Sequence, residues 1–264
     1  MSFQAVIPTG GIVGWRFLQR TQEAQMDAFA KAPQAQRDRD YFLENIGKVK
    51  TAADLVADRR LLGVALGAFG LQDDLPNKFF IQKILQDGTR DGAALANRLA
   101  DRRYARLAEA FRFGPGEVPQ TGNPGAMERI ADRHQRQAFE ISVGESDENL
   151  RIALYAQREL TEIAASKMSD EGKWFTIMGL PPLRSMFETA LGLPKAFGQV
   201  DIDQQLSVFR EKTSALTGQS GVDQFTDPEA LERLTNLYLA RSQINAASSG
   251  LSSGSVALSL LQSL

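Results

Sequence analysis

His134 is the only histidine in the chain, so any Ser-centred triad or imidazole acid–base step has to use it. An Asp…His…Ser order can be assembled on paper, but no nucleophile-elbow sequence surrounds a serine. His134 falls at helical spacing with Met127, Ile130, Ala138 and Ile141, which suits a packed or boundary position. One histidine cannot build a His-rich metal site, and a chain without cysteine has neither disulfides nor thiolate zinc ligands. The carboxylate pairs Asp73/Asp74 and Glu145/Asp147 stand in turns or first helical turns, where they complement the helix dipole. Acid–base chemistry would require two carboxylates at a fixed separation in a cleft. Gly10, Gly11 and Gly14 lack the Gly-Lys-Ser/Thr sequence and the preceding strand of a phosphate loop. No catalytic residue, metal ligand or cofactor is therefore expected, and the chain reads as non-enzymatic.

The sharpest polar pattern is a repeated one. Ala-Asp-Arg-Arg occurs at Asp58-Arg59-Arg60 and again at Asp101-Arg102-Arg103, 43 residues apart, each followed by an apolar helix face and then Phe and Gly. Two consecutive arginines on a helix point about 100° apart. One can pair with Asp or a neighbouring helix while the other stays solvated. The pairs read either as inter-helix contacts, a role suited to the rigid guanidinium fork, or as a patch for an acidic partner. These six residues, with Trp15 of the first helix, are the candidate interaction residues. A third, degenerate copy is read at Arg184–Pro194.

No stretch shows a period-2 alternation bounded by turns. The expected fold is all-α: an orthogonal or irregular bundle of about ten helices, with two or three copies of the helical unit and flexible ends. Pro33 starts a helix, and Thr51 with Asp54 resembles a capping box ahead of a helix expected to run to Gly70. A helix capped by Asp91 is expected to close at Gly114. The segment GPGEVPQTGNPG supplies the boundary. The division is thus a flexible arm 1–13, a subdomain 14–114, a linker 115–125, a subdomain 126–244 and a Ser-rich tail 245–264.

The length, 264 residues, allows one large domain or two small ones. A net charge of −2 gives no global reason to bind nucleic acid or an anionic membrane. No apolar run reaches the roughly 18 residues of a membrane span. The N-terminus has no basic region or small-residue cleavage site, so no cleaved signal is expected, and the compartment stays open. Both ends are polar and weakly amphipathic, so they read either as disordered or as ordering on assembly.

Several stretches resemble an alphaproteobacterial domain family of unknown function: GWRFLQRT (14–21), RDRDYF (37–42), DRRLLGVALGAFGL (58–71), NKFFIQKILQDGT (77–89), LANRLADRRY (95–104) and LGLPKAFG (191–198). Members are often encoded among flagellar genes, so the resemblance implies a flagellum-associated role, with no known activity or catalytic residue. The tail from Ala240 through Val256-Ala-Leu-Ser-Leu-Leu-Gln also looks like the C-terminal helix of flagellins. That implies termini which pair on assembly, although the middle of this chain keeps a helical core where axial proteins carry β-rich domains. The expectation is a protein that acts through protein–protein contacts in the flagellar apparatus or its assembly, with self-association through the termini. The alternative is a cytoplasmic helical regulator or export chaperone that binds a partner helix in a groove.

Overall fold

The two Ala-Asp-Arg-Arg stretches, expected inside long helices, interrupt them. In the computed structural model, which describes residues 3–250 apart from the side chains of residues 195 and 248–250, Ala57 ends α3 (Ala52–Ala57) and Asp58 leaves the helix with φ −89° and ψ 107°. Its carboxylate then accepts from the amides of Arg60 and Leu61, at 2.9 and 3.1 Å, and starts α4 (Arg59–Gly67). The second stretch likewise separates α6 (Leu95–Arg98) from α7 (Arg103–Phe111). With these two breaks the described residues form thirteen α-helices, more than the ten or so expected, and contain no strand.

The other helices are α1 (Gly11–Ala30), α2 (Pro33–Asn45), α5 (Lys78–Asp87), α8 (Pro124–Gly144), α9 (Glu148–Ala164), α10 (Asp170–Met178), α11 (Pro181–Leu191), α12 (Ile202–Thr217) and α13 (Pro228–Gly250). Local signals set several starts. Proline occupies the first turn of α2, α8 and α11, where its missing N–H leaves no donor unsatisfied. Thr51 and Asp54 form the capping box read from their spacing. Gly70, at φ +69°, turns the chain out of α4 and lets Leu71 N–H return to Leu66 O at 2.9 Å.

The chain forms two compact units. The first comprises the residues up to Val6 and Arg20–Ser146, and the second comprises Ile7–Gln19 and everything from Asp147 onward. α1 thus contributes its first part to the second unit and its later part to the first. The boundary falls between Ser146 and Asp147, not in the Pro/Gly segment 115–125. That segment lies inside the first unit. The buried Thr121 hydroxyl donates to Val49 O at 2.7 Å, and Glu117 faces Arg90 and Arg112 at 3.3 and 3.6 Å. Its glycine serves close approach: a Cβ on Gly114 would lie 2.9 Å from Gly88 Cα.

In the first unit the core is built from α2–α5, α7 and α8, through Phe42, Leu55, Leu62, Ile81, Phe111 and Met127. In the second it centres on aromatic rings. Trp174 meets Phe187 at 5.4 Å and Phe209 at 6.0 Å, and Phe187 meets Phe225 at 5.7 Å. Such edge-to-face and offset pairs add about 0.5–1.5 kcal/mol beyond area burial. Two charged groups are enclosed here with partners: Glu159 pairs with Arg158, and Lys173 donates to Ala164 O and Asp223.

Both ends are more ordered than expected. α1 begins at Gly11 rather than Gly14, because Asp147 supplies an acceptor. Its Oδ2 accepts from Gly11 N–H at 3.2 Å, while Oδ1 accepts from Asn149 and Leu150 N–H at 2.8 and 3.3 Å to cap α9. One carboxylate therefore serves two helix N-termini. At the other end α13 carries the expected tail as helix through Gly250; the remainder, 251–264, lies outside the described residues. Among the described residues no helix is long and apolar enough to cross a membrane.

A helix cap is worth roughly 1 kcal/mol, so Asp147→Ala should destabilise the protein by about 2 kcal/mol, measured by urea unfolding. Glu145→Ala, at an exposed neighbour, is the control. Equal losses in the two variants would refute the double cap.

Candidate functional site

The residues singled out by their pattern converge on helix ends. Asp58 sits between three donors: besides the two α4 amides, its Oδ2 accepts from the Tyr41 hydroxyl at 2.7 Å. Partial burial alone would raise the Asp58 carboxyl. The Tyr41 hydroxyl, the Leu61 and Arg60 amides and the Arg60 charge outweigh it and hold the group below the usual carboxylate range. The same bond pushes the Tyr41 phenol up, with desolvation adding to it. Arg60 lies over the Tyr41 ring with its guanidinium carbon 3.8 Å from the centroid. It donates to Arg37 O at 3.2 Å and faces Asp38 at 3.7 Å. Arg59 is exposed. One arginine engaged and one in solvent is what the 100° offset requires.

The second triplet repeats neither the cap nor the wiring: α7 begins after Arg102, which makes no side-chain cap bond. Asp101 Oδ1 accepts from Arg103 N–H at 3.0 Å, and its two oxygens take the Arg103 fork through Nε and through Nη2 at 2.7 Å. The Nη1 of Arg103 donates to Gly70 O, at the end of α4. Arg103 therefore ties the start of α7 to the turn that closes the first copy. Arg102 is exposed. Tyr104 donates to Asp74 Oδ2 at 2.6 Å, and its ring stands edge-on to Phe80 at 5.2 Å. Burial first, and then the Asp74 charge, push the Tyr104 phenol well up. Arg184, read as a third copy, stands inside α11 without breaking it and donates to Glu188 and Gln205 at 2.7 and 2.6 Å. It shares neither the cap nor the break.

Trp15 is corrected outright. It is fully buried in the second unit, its indole N–H without an acceptor, and it cannot meet a partner from there. His134 packs over Gly67, where a Cβ would lie 2.6 Å from the imidazole Cδ2. Burial lowers its pKa below the ordinary 6.5, with Asp38 opposing. Among the described residues no cluster of three or more His, Asp or Glu is placed to hold a metal ion.

The polar groups of the repeat thus hold helices together. What stands in solvent is different: the exposed first arginines and Phe79, which is 85% exposed on α5. The periodicity carried that signal. Ile81, Ile84 and Leu85 share the buried face, and Phe79 stands about 200° from Ile81. Sequence reasoning also passed over Gln25, which binds the N-terminal arm.

Arg103, only 23% exposed, and Arg60, 51% exposed, should differ in weight. Arg103→Ala takes the guanidinium from Asp101 and from the Gly70 carbonyl and is expected to cost about 1–3 kcal/mol. Arg60→Ala should cost about 1 kcal/mol or less. Equal losses on chemical denaturation would contradict the bridging role. For His134, a folded pKa below the unfolded one means that the unfolded chain binds more protons in acid. Its contribution is complete above about pH 6.5 and is lost as the pH falls towards the folded value. His134→Gln should flatten that decline in urea midpoint, and an unchanged slope would show that other groups cause it.

Comparison with known proteins places this architecture. No curated protein is significantly similar to the chain. The crystal structure of protein AGR_C_984 from Agrobacterium tumefaciens superposes with a TM-score of 0.70 at 27% identity, covering 89% of this chain and 97% of that one. A family model described as a protein of unknown function, DUF1217, matches residues 68–231. The match opens just beyond the first Asp-Arg-Arg triplet and takes in the second, the Pro/Gly loop and the helices that follow. On that span, well over half of its length, the chain belongs to the DUF1217 family.

Proposed function

We propose that the protein is a non-enzymatic helical component that works through protein–protein contacts in the flagellar apparatus or its assembly. The flagellar part rests on the resemblance of the Asp-Arg-Arg stretches and their neighbours to a family often encoded among flagellar genes. The contact part rests on Phe79. An aromatic side chain 85% exposed on a helix seated against α3 and α7 is a rigid apolar anchor. Aromatic anchors of this type dominate binding energy at interfaces. The aspartates, by contrast, are engaged as helix caps and pair acceptors, which supports a scaffold role for them.

The test is the destination of the native protein. Cytoplasm, purified hook–basal bodies and culture medium are probed in strains with and without a working flagellar export apparatus. Export-dependent recovery with basal bodies or medium is expected. Phe79→Ser should lower recovery by about tenfold or more, as loss of an anchor residue does, at unchanged thermal stability. Retention in the cytoplasm of both strains would overturn the structural role and leave the export-chaperone reading.

A further inference from the structure

Residues 3–6 are laid down as an extended peptide on the first unit's part of α1 and on α8. Burial alternates along them: Phe3 is half-buried and Ala5 is 5% exposed, while Gln4 and Val6 face solvent. That is the period of an extended chain with one face against a surface. The Phe3 ring stands edge-on to Phe29 at 5.3 Å and lies 6.3 Å from Phe139, and those two are 6.2 Å apart. A cleft of about 200 Å³ continues from them past Met26, Ala30 and Arg136.

The polar part of the grip reads only backbone. The Gln25 side-chain amide accepts from Val6 N–H at 2.8 Å and donates to Val6 O at 3.2 Å, as a neighbouring strand would. A bond from Gln25 Nε2 to Thr21 Oγ1 at 2.9 Å fixes the orientation of that amide. A main-chain clamp with pockets for alternate side chains is a mode of peptide recognition. The groove therefore selects an extended segment with an aromatic residue two places before a small one, and every copy of this chain carries one at Phe3-Gln4-Ala5-Val6.

The arm joins α1 through Pro8, Thr9 and Gly10. Glycines hold that hinge in its folded form. Thr9 O approaches Gly14 so closely that a Cβ there would lie 1.8 Å away, and Gly11 takes φ +64°. We propose that the α1–α8 groove is a docking site for the N-terminal arm of a second copy, and that two copies exchange arms reciprocally. The contacts are the same within one chain and between two, so the balance is set by the hinge and by concentration. A tethered arm competes at an effective concentration on the order of millimolar. Exchange is thus favoured where copies are crowded together or where the hinge cannot fold. The inference stands independently of where the protein works.

The chain has no cysteine, so introduced thiols are unique reporters. Gln4→Cys on the arm and Ala28→Cys on α1, both at exposed positions, are placed on separate chains of different mass and mixed at about 1 mM, the tethered arm's own scale. A short bismaleimide linker is then added. The expected product is the covalent heterodimer. Its yield should rise with Gly14→Ala, which the folded hinge cannot accommodate. It should fall about tenfold with Phe3→Ala, which removes the anchor ring, or with excess synthetic peptide of residues 1–7. The mixture with Gly14 intact needs no hinge variant and decides the matter if Gly14→Ala does not fold. No heterodimer at that concentration, while a chain carrying both cysteines closes on itself, would overturn the proposal. A heterodimer indifferent to Phe3→Ala and to the peptide would overturn it equally.

Discussion

A helix begins with backbone amides that have no partner in the helix itself, and in this protein aspartates answer that need at the points where the chain changes direction. Asp147 accepts from amides of two helices, one of which begins at Gly11, 136 residues before it in the chain. Asp58 ends α3 and caps α4. Because a carboxylate near a helix N-terminus also meets the positive end of the dipole, each cap gains from charge as well as from hydrogen bonding. In the first unit, the turn from α3 into α4 follows from such a restart. In the second unit, the approach of α1 to α9 follows from one.

The all-α class was legible because apolar residues recur at helical spacing through nearly every segment and local caps mark the starts. Pro33, Pro124, Pro181 and the Thr51–Asp54 box act on amides within three residues of themselves. What was not legible acts at a distance. Nothing near Gly11 announces its cap, which comes from Asp147. Nor does composition locate the division of the chain. Pro and Gly at 114–125 look like a spacer, whereas Gly114 is there because another backbone passes close by. The true boundary between Ser146 and Asp147 has no compositional mark.

The candidate residues divide in the same way. That one arginine of each pair would be engaged and the other solvated follows from helix geometry, and Arg60/Arg59 and Arg103/Arg102 obey it. The identity of the partners does not follow. Tyr41 stacks under Arg60 and bonds Asp58, whereas Tyr104 turns to Asp74 and leaves Arg103 to bridge Asp101 and Gly70. Two copies of one motif thus share a residue pattern and differ in cap and tertiary wiring, because their neighbours in space are different helices. Trp15 shows the opposite error: a polar helix with three nearby glutamines reads as surface, yet its first part is packed in the second unit.

Both tryptophans of the chain, Trp15 and Trp174, are fully buried, and both belong to the second unit. Intrinsic indole emission is therefore an observer of one half of the molecule only. The first unit, which holds the repeated triplets and the groove that grips the arm, contributes helical ellipticity but no indole. Monitoring one unfolding curve by both signals separates the two units without a label. Coincident transitions mean a single cooperative block, and a circular dichroism change ahead of the red-shift means that the triplet-bearing unit lets go first.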